Sequence, residues 1–336
     1  MNLRLSKAKV MLPLSLGLGL LVAGVVVGSY LHERGHVLDS AAVQIARVED
    51  SLGMHLGEDF KGISGALFAI EQGGSFLAPL RARDRETLHE LAAPLFRRLQ
   101  TQAEITHFYF SDPDRVNILR VHKPDTFGDV IDRLTTLEAQ ETGAPVQGIE
   151  LGPLGTLTLR VVHPQIVDGE CIGYIELGHE INHLIDLMGT ALDVELGILV
   201  RKQYLDREGW ETGMRMMGRD GDWDRLSDFV VCGGLPVGIS ANELRHLASE
   251  DLEIPPAGLE LDLQGKDCRV GYFPLIDVRG QDLGRLFVVV DVSDREAASV
   301  RFVLSAALAC VVAAGLLMTL FYLYLCRIEG RFEGEL

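Results

Sequence analysis

Two long runs of apolar residues dominate the hydropathy pattern of this chain. Residues 10–31 and 302–326 contain no charged side chain. A helix rises about 1.5 Å per residue, so about 20 residues cross the apolar core of a bilayer. The pattern therefore predicts two transmembrane helices. The first run is longer than the apolar region of a cleavable signal peptide, which favours an uncleaved anchor.

The residues that flank the two runs predict their orientation. Three basic residues precede the first run and two follow the second: Arg4, Lys7, Lys9, Arg327 and Arg331. Basic residues near span ends stay in the cytoplasm. We therefore expect residues 1–9 and 327–336 to be cytoplasmic and residues 32–301 to be extracytoplasmic.

Residues 32–71 show the pattern of a long helix that continues from the first span. Apolar residues recur every seven positions in two series joined by a step of four: Leu38, Ile45 and Leu52, then Leu56, Ile63 and Ile70. Such a step is a stutter in a heptad repeat. The first series is typical of a coiled coil and predicts a homodimer, and the second is typical of packing on a sheet. An ordinary amphipathic helix is the alternative.

A second helix is predicted at residues 83–102, after which the periodicity changes to that of strands. Apolar and polar residues alternate, and turn residues such as Asp168-Gly169 separate the segments. We predict strands at residues 105–110, 116–122, 156–162 and 171–177. A helix at residues 180–188 follows.

The same order of elements repeats more compactly in the next hundred residues. We predict strands at 194–200, 229–232, 259–263, 268–276 and 284–292, with helices at 202–217 and 241–250. This is an α+β fold with two small modules on one long helix. The expected divisions are a stalk with supporting helices at 32–102, a membrane-distal module at 103–188 and a membrane-proximal module at 189–297.

Charge and cysteine content exclude some functions. The formal net charge is −17, which argues against nucleic acid or an anionic membrane surface as a partner. Three cysteines face the outside, and an odd number does not allow a complete disulfide framework. If one bridge forms, Cys232 with Cys268 is the expected pair, because both lie in the second module. Free thiols are the alternative.

Several stretches of the outer region resemble bacterial double-Cache sensor domains. In the first module they are His107–Phe110, Asn117–His122, Gly148–Thr156, Leu159–Pro164 and Ile172–Gly178; in the second they are Tyr204–Arg207 with Trp210, Gly271–Leu275 and Val288–Asp291. The resemblance covers residues 35–295. It implies two PAS-like Cache modules of the kind found in receptor histidine kinases, chemoreceptors and diguanylate cyclases.

The resemblance also implies a function and a location. A protein of this kind senses a small ligand in its membrane-distal module, relays the signal through helices and is not itself an enzyme. Its sensor domain is periplasmic, the bacterial inner membrane holds its spans, and no cofactor is implied. The amino-acid-binding version of the fold carries an Arg followed closely by Trp-Tyr in the distal module. Here Trp210 and Trp223 both lie in the second module, so an amino-acid ligand is not indicated.

Strand alternation collects polar residues on one face of the first module. The candidate ligand-binding residues are Tyr109, Arg120, His122, Asp129, Arg133 and Arg160. An unpaired buried charge costs several kcal/mol. These arginines therefore either line a pocket for an anion or carboxylate, for which the guanidinium fork is suited, or pair with acids in a fixed network. In that network Arg120 and Arg160 would pair with Glu150, Glu176 or Asp129.

A rival motif lies after the last strand of the first module. His179-Glu180-Ile181-Asn182-His183 fits H-E-x-x-H, in which two histidines on one helix hold zinc and the glutamate is a general base. Here Gly178 and a predicted strand come directly before it, so His179 falls at the start of the helix. We expect no metal site, and keep His179 and His183 as the ligands of a zinc ectoenzyme alternative.

These patterns together predict a transmembrane receptor without catalysis. The tail of about ten residues after the second span leaves the output to a fused domain or a separate cytoplasmic partner. A structural anchor that senses nothing is a further alternative.

Overall fold

The computed structural model describes residues 7–235, 238–249 and 253–333. The helices within these ranges are α1 (Lys7–Gln72), α2 (Leu77–Arg81), α3 (Arg85–Ala103), α4 (Leu134–Thr142), α5 (Asn182–Leu192), α6 (Arg207–Met216), α7 (Ala241–Leu247) and α8 (Ser293–Glu333). The strands are β1 (His107–Ser111), β2 (Asn117–Arg120), β3 (Val146–Leu151), β4 (Leu157–Val167), β5 (Glu170–Glu180), β6 (Glu195–Arg201), β7 (Phe229–Gly233), β8 (Leu259–Leu263), β9 (Lys266–Ile276) and β10 (Asp282–Asp291). This mixed architecture confirms the predicted α+β fold.

The ten strands form two sheets with the same topology. The first sheet has the order β2-β1-β5-β4-β3 and the second has the order β7-β6-β10-β9-β8. In each sheet the first strand along the chain pairs antiparallel with the last. A helix, α4 or α7, follows the second strand of each sheet. The two modules are therefore repeats of one fold plan, as the repeated pattern in the sequence predicted.

The structure differs from the sequence prediction at four elements. Strand β3 was not predicted, because its sequence Val-Gln-Gly-Ile-Glu-Leu follows Pro145 and contains a glycine. The predicted helix at 202–217 is a 3-10 turn, Lys202–Tyr204, followed by α6. The break arises because the Asp206 carboxylate accepts a hydrogen bond from Gly209 N and so caps the start of α6. Strands β4 and β5 are longer than predicted.

An aromatic core covers one face of the first sheet. Phe108 and Phe110 are fully buried and contact Phe76, with ring centroids 6.3 and 5.2 Å away. Phe96 of α3 lies 6.4 Å from Phe108. The buried stripe of α3 is Leu88, Ala92 and Phe96, whereas Leu91 is exposed. Phe96 therefore faces the aromatic core of the sheet.

Helix α1 combines the first apolar run and the predicted stalk in one helix. Ile63 and Ile70 of the second heptad series are buried, as expected for packing on a sheet. Ile45 of the first series is also buried, and a Cβ at Gly271 would lie 2.8 Å from its side chain. Ile45 therefore packs on β9 of its own chain. It is not available for the predicted contact with a second copy, so that part of the coiled-coil interpretation is wrong.

Two of the helices are long and apolar enough to cross a membrane. They are α1 and α8, whose most apolar windows have a mean hydropathy of 2.4. Large apolar side chains on both helices are exposed, Leu20 and Leu308 among them. This agrees with the two predicted spans. Helix α8 starts at Ser293, so the segment between the last strand and the second apolar run is itself helical.

The chain divides into two compact units. One contains the chain up to Val43, residues 260–269 and the chain from Asp291 onward; the other contains residues 44–259 and 270–290. Cys232 and Cys268 are not joined by a disulfide. They lie on β7 and β9, which are not neighbouring strands, so the conditional expectation of a bridge between them is not met.

Candidate functional site

The polar residues singled out in the sequence lie on one face of the first sheet. Tyr109 on β1 is opposite Arg120 on β2 and Glu176 on β5. Glu176 is in turn opposite Val162 on β4, two residues from Arg160. Directly paired residues and their i±2 neighbours point to the same side of a sheet. We call this side, with Tyr109, Arg120, Arg160, Glu176 and Glu150 of β3, the polar face.

Three guanidinium groups surround the ring of Tyr109. The Cζ atoms of Arg133, Arg120 and Arg160 lie 4.4, 5.4 and 5.9 Å from the ring centroid. All three are within the range of a cation–π contact. Tyr109 is itself only 6% exposed. The ring therefore serves as a fixed platform that holds the three arginines close together.

Two buried glutamates neutralise the inner arginines. Glu176 accepts hydrogen bonds from Arg133 Nη2 at 2.6 Å and Arg160 Nη1 at 2.5 Å. Glu150 Oε2 lies 3.2 Å from Arg160 Nε and 3.9 Å from Arg133 Nε. Each glutamate thus faces both arginines. This arrangement keeps four charges in a site that is almost closed to water.

The start of helix α4 is in contact with two members of the network, Arg133 and Glu150. Arg133 is the residue before the helix and has an extended backbone, which directs its side chain back onto the polar face. Glu150 Oε1 accepts a hydrogen bond from Thr135 N in the first turn, at 2.5 Å. A carboxylate is favoured at the positive end of a helix. Glu150 therefore holds α4 over the sheet as well as pairing with arginine.

An outer ion pair closes the edge of the polar face. The Arg120 guanidinium donates to both Asp129 oxygens, at 2.7 and 2.6 Å, and to Thr126 O at 3.0 Å. The Asp129 side chain is 52% exposed. Both arginines named in the fixed-network alternative thus have an acidic partner: Arg120 pairs with Asp129, and Arg160 pairs with Glu150 and Glu176.

The network still leaves hydrogen-bonding capacity unused. The Nε atoms of Arg133 and Arg160 are buried and make no hydrogen bond of good geometry, and the same holds for the hydroxyls of Thr135 and Thr158 and for Glu150 Oε2. Most buried polar atoms in folded proteins have a partner. Buried donors and acceptors without a well-aligned partner, on both sides of the Arg160–Glu150 pair, are the arrangement expected where a polar ligand can complete the bonding.

Two histidine rings form the other end of the polar face. The His122 ring lies 4.8 Å from that of His107 and 5.0 Å from that of Tyr109. Burial, supported by the nearby arginine charges, lowers the pKa of His107 to about 3 and that of His122 to about 4. Both rings are therefore neutral at physiological pH. They add aromatic surface and hydrogen-bonding nitrogens without adding charge.

The two glutamates differ in how firmly their charge is held. Burial opposes ionisation of Glu176, but Arg133 and Arg160 outweigh it and the pKa of Glu176 is lowered. Burial also dominates at Glu150, where the opposing arginine charge is weaker, and the pKa of Glu150 is raised. Glu176 is therefore the permanent counter-ion of the site. Glu150 is the carboxylate that is easier to neutralise or replace.

All six residues proposed from the sequence come together here. The sequence indicated Glu150 and Glu176 only as pairing partners of the arginines. It did not indicate His107 or Thr135 as site residues. The alternation of polar residues along β3 and β5 could have identified the glutamates. Thr135 carried no comparable signal, because its role depends on the position of α4.

The H-E-x-x-H motif does not lie on one helix. His179 and Glu180 are the last two residues of β5, where adjacent side chains point to opposite faces, and α5 begins only at Asn182. His179 Nδ1 lies 3.3 Å from Ala103 O. The side chain of His183 falls outside the part of the chain that the structure describes. The helical spacing on which the zinc hypothesis depended is therefore not present.

Comparison with known families decides the classification. A family model described as the double sensory domain of two-component sensor kinases, dCache_3, matches residues 65–295. This is more than half of the chain. The chain belongs to this double-Cache family. The resemblance noted in the sequence is therefore confirmed, and the polar face lies within a domain of a sensory, ligand-binding family.

Solved structures of other double-Cache domains are similar to the chain. The sensor domain of the V. cholerae histidine kinase DctB is 14% identical over 76% of this chain and 98% of that one, with a TM-score of 0.44. The V. cholerae LuxQ periplasmic domain is 12% identical over 74% and 98%, with a TM-score of 0.43. The ligand-binding domain of the Campylobacter jejuni chemoreceptor Tlp3, in complex with L-valine, is 12% identical over 80% and 98%, with a TM-score of 0.37. No curated protein sequence matches the chain.

Proposed function

We propose that this chain is a membrane-anchored receptor whose first module binds a small ligand bearing a carboxylate. The observation that carries the proposal is the pair of buried arginines, Arg133 and Arg160, whose Nε atoms make no hydrogen bond of good geometry beside the Tyr109 ring. A guanidinium presents two parallel donors that match a carboxylate. The ligand would lie between α4 and the polar face.

The difference between the two glutamates supports a mechanism of exchange. The ligand carboxylate replaces Glu150 beside Arg160, because the charge of Glu150 is held less firmly than that of Glu176. Glu150 is also the hydrogen-bond acceptor at the first turn of α4. Its displacement therefore releases the start of α4. A ligand that binds one arrangement of α4 better than the other shifts the population between them.

The rest of the receptor follows the predicted topology. Residues 32–301 lie outside the inner membrane, α1 and α8 contain the spans, and the signal passes to a fused or separate cytoplasmic output. A homodimer through α1 remains part of the proposal, with Ile45 excluded from its contact. Absence of ligand binding would favour the structural anchor.

A thermal-shift screen of the full chain in lipid nanodiscs tests this function. Small mono- and dicarboxylates are compared with the matching uncharged amides, and a ligand at about 100 times its Kd adds about 2.7 kcal/mol of stability. We expect carboxylates but not amides to stabilise the wild type, and Arg133→Gln to abolish the shift. Arg97→Gln, on the exposed side of α3, is the matched control. A shift that persists unchanged in Arg133→Gln contradicts the proposed site.

The Glu150→Gln variant tests the exchange mechanism separately. It removes the competing negative charge and retains the shape and an oxygen that can accept from Thr135 N. We expect carboxylate affinity to rise by about tenfold, equivalent to about 1.4 kcal/mol. Weaker binding in Glu150→Gln would show that Glu150 assists the ligand rather than competing with it, and would reject the exchange while leaving carboxylate sensing intact.

A further inference from the structure

Two histidines lie one turn apart on α1, just beyond the first apolar run. The Nε2 atoms of His32 and His36 are 3.0 Å apart, and their rings meet edge to face with centroids 4.3 Å apart. Both residues are exposed. Two nitrogens bound to one tetrahedral zinc ion at about 2.05 Å are about 3.3 Å apart. The pair therefore already has nearly the spacing that a shared metal ion requires.

One chain supplies only half of such a site. Structural zinc is almost always bound by four protein ligands. Within the described ranges of the chain, no three His, Cys, Asp or Glu side chains converge in a way that could hold a metal ion. A second copy offers the same two histidines and so could supply the remaining ligands.

A ridge along α1 indicates where the second copy packs. Gly24, Gly28, His32 and His36 follow one another at intervals of four residues. A Cβ added at Gly24 or Gly28 would meet no atom within 4 Å, so this ridge is not packed against its own chain. G-x-x-x-G in an apolar helix lets two helices approach closely along such ridges.

A neighbouring side of α1 is the one covered by its own chain. The more sheltered positions there are Val22, Val26, Ser29, Glu33 and Val37, and Gly35 beside the histidines is also partly sheltered. The ridge avoids all of them. A second α1 can therefore pack on the glycines without displacing any contact within the chain.

We propose that His32 and His36 of two copies together bind one divalent transition-metal ion, of which zinc is the representative, at the outer surface of the membrane. Contact at Gly24 and Gly28 brings the four imidazoles together one to two turns further along the helices. Imidazole nitrogen suits zinc, copper and nickel. The ion clamps the two α1 helices beside the membrane, and neither sheet contributes to the site, so the inference is independent of the proposed ligand.

Zinc binding by the full chain in nanodiscs tests the site directly. The protein is purified without a histidine tag, and bound zinc is measured by equilibrium dialysis. We expect one ion per two chains. His32→Ala with His36→Ala should abolish binding, since each lost ligand lowers affinity on the order of 100-fold. His246→Ala removes an exposed histidine elsewhere and should change nothing. Undiminished binding in the double variant overturns the proposal.

A second pair of variants tests whether the site is shared. Gly24→Leu with Gly28→Leu keeps all histidines but separates the two helices. We expect zinc affinity to fall on the order of 10⁴-fold, because two of four ligands are lost. Cobalt substituted for zinc reports the geometry, with the intense visible absorption of a tetrahedral site expected only in the wild type. One ion per chain, bound equally well by wild type and the leucine variant, overturns the shared site.

Discussion

The two sheets share one topology but stabilise a buried arginine in different ways. In the first sheet, Arg160 lies between the carboxylates of Glu150 and Glu176. In the second, Arg285 on β10 is 5% exposed and donates to two backbone carbonyls, Leu247 O at 2.7 Å and Ser249 O at 2.9 Å. A cation is favoured at the carbonyl end of a helix, here α7.

The difference lies in whether the partner of the arginine can be exchanged for a ligand. A carboxylate side chain can rotate away or accept a proton, so a ligand can take its place. The carbonyls at the end of α7 can be released only if the helix end unfolds. Arg285 also lies 4.5 Å from the ring of Tyr272, an Arg–aromatic contact like those at Tyr109. The comparison therefore supports the proposed exchange in the first module and a scaffold role for Arg285 in the second.

The largest effect is expected at the centre of the first sheet. Arg160→Met leaves Glu150 without its nearest cation and removes one of two from Glu176, so we expect the first sheet to lose about 3–5 kcal/mol. Native-state hydrogen exchange of β4 and β5 amides measures the loss. Adding Glu150→Gln should restore part of it. If the single variant loses less than about 1 kcal/mol, the network is not what holds this face together.

A smaller effect is expected in the second sheet. Arg285→Met removes two hydrogen bonds from a charged donor and leaves the Leu247 and Ser249 carbonyls unpaired, which costs about 2–3 kcal/mol. The loss should be the same at pH 5 and pH 7, because carbonyls do not titrate. Exchange of β10 amides is the measurement, with exposed Arg279→Met as control. A strongly pH-dependent loss would remove the contrast between the two sheets.

Acid should weaken the first sheet selectively. The pKa of His122 falls from 6.5 to about 4 on folding, so the unfolded chain binds more protons between these values and stability declines as pH falls from 6.5 to 4. After discounting for its half-buried ring, we expect His122→Gln to flatten this decline by about 2 kcal/mol. The melting temperature across this pH range is the readout.

The smallest effect is expected at the outer ion pair of Arg120 and Asp129. Asp129→Asn removes the outer partner of Arg120, and exposed ion pairs contribute about 1 kcal/mol or less. We expect a change of that size in the exchange of β2 amides. This variant is compared with Arg160→Met. A loss of stability as large as that of Arg160→Met would mean that the Arg120–Asp129 pair, and not Arg160 with its two glutamates, stabilises the polar face.

Elements that depend on local sequence were predictable. The Asp168-Gly169 turn joins β4 and β5 with both residues at positive φ, 55° and 84°. Alternation along β1, β2 and β4 placed Tyr109, Arg120 and Arg160 on one face. These predictions succeeded because a strand's two faces follow directly from residue parity.

Elements that depend on distant contacts were not predictable. Gly148 of β3 is needed because a Cβ there would lie 2.5 Å from the Val278 side chain, 130 positions along the chain. The unequal pKa directions of Glu150 and Glu176 likewise depend on which arginine folds back from the start of α4. No periodicity in the sequence indicates such contacts. The sequence alone therefore could not decide whether the arginines line a ligand pocket or form a fixed network with acidic residues.

The charges of the polar face cancel, with Arg120, Arg133 and Arg160 against Asp129, Glu150 and Glu176. Its field therefore does not extend far, whereas the whole chain carries −17. The carboxylate ligand that we propose would approach against that negative field and be attracted only on contact. Its association rate should increase with ionic strength, because salt screens the repulsion. Its dissociation rate, governed by short contacts in a closed site, should stay nearly constant.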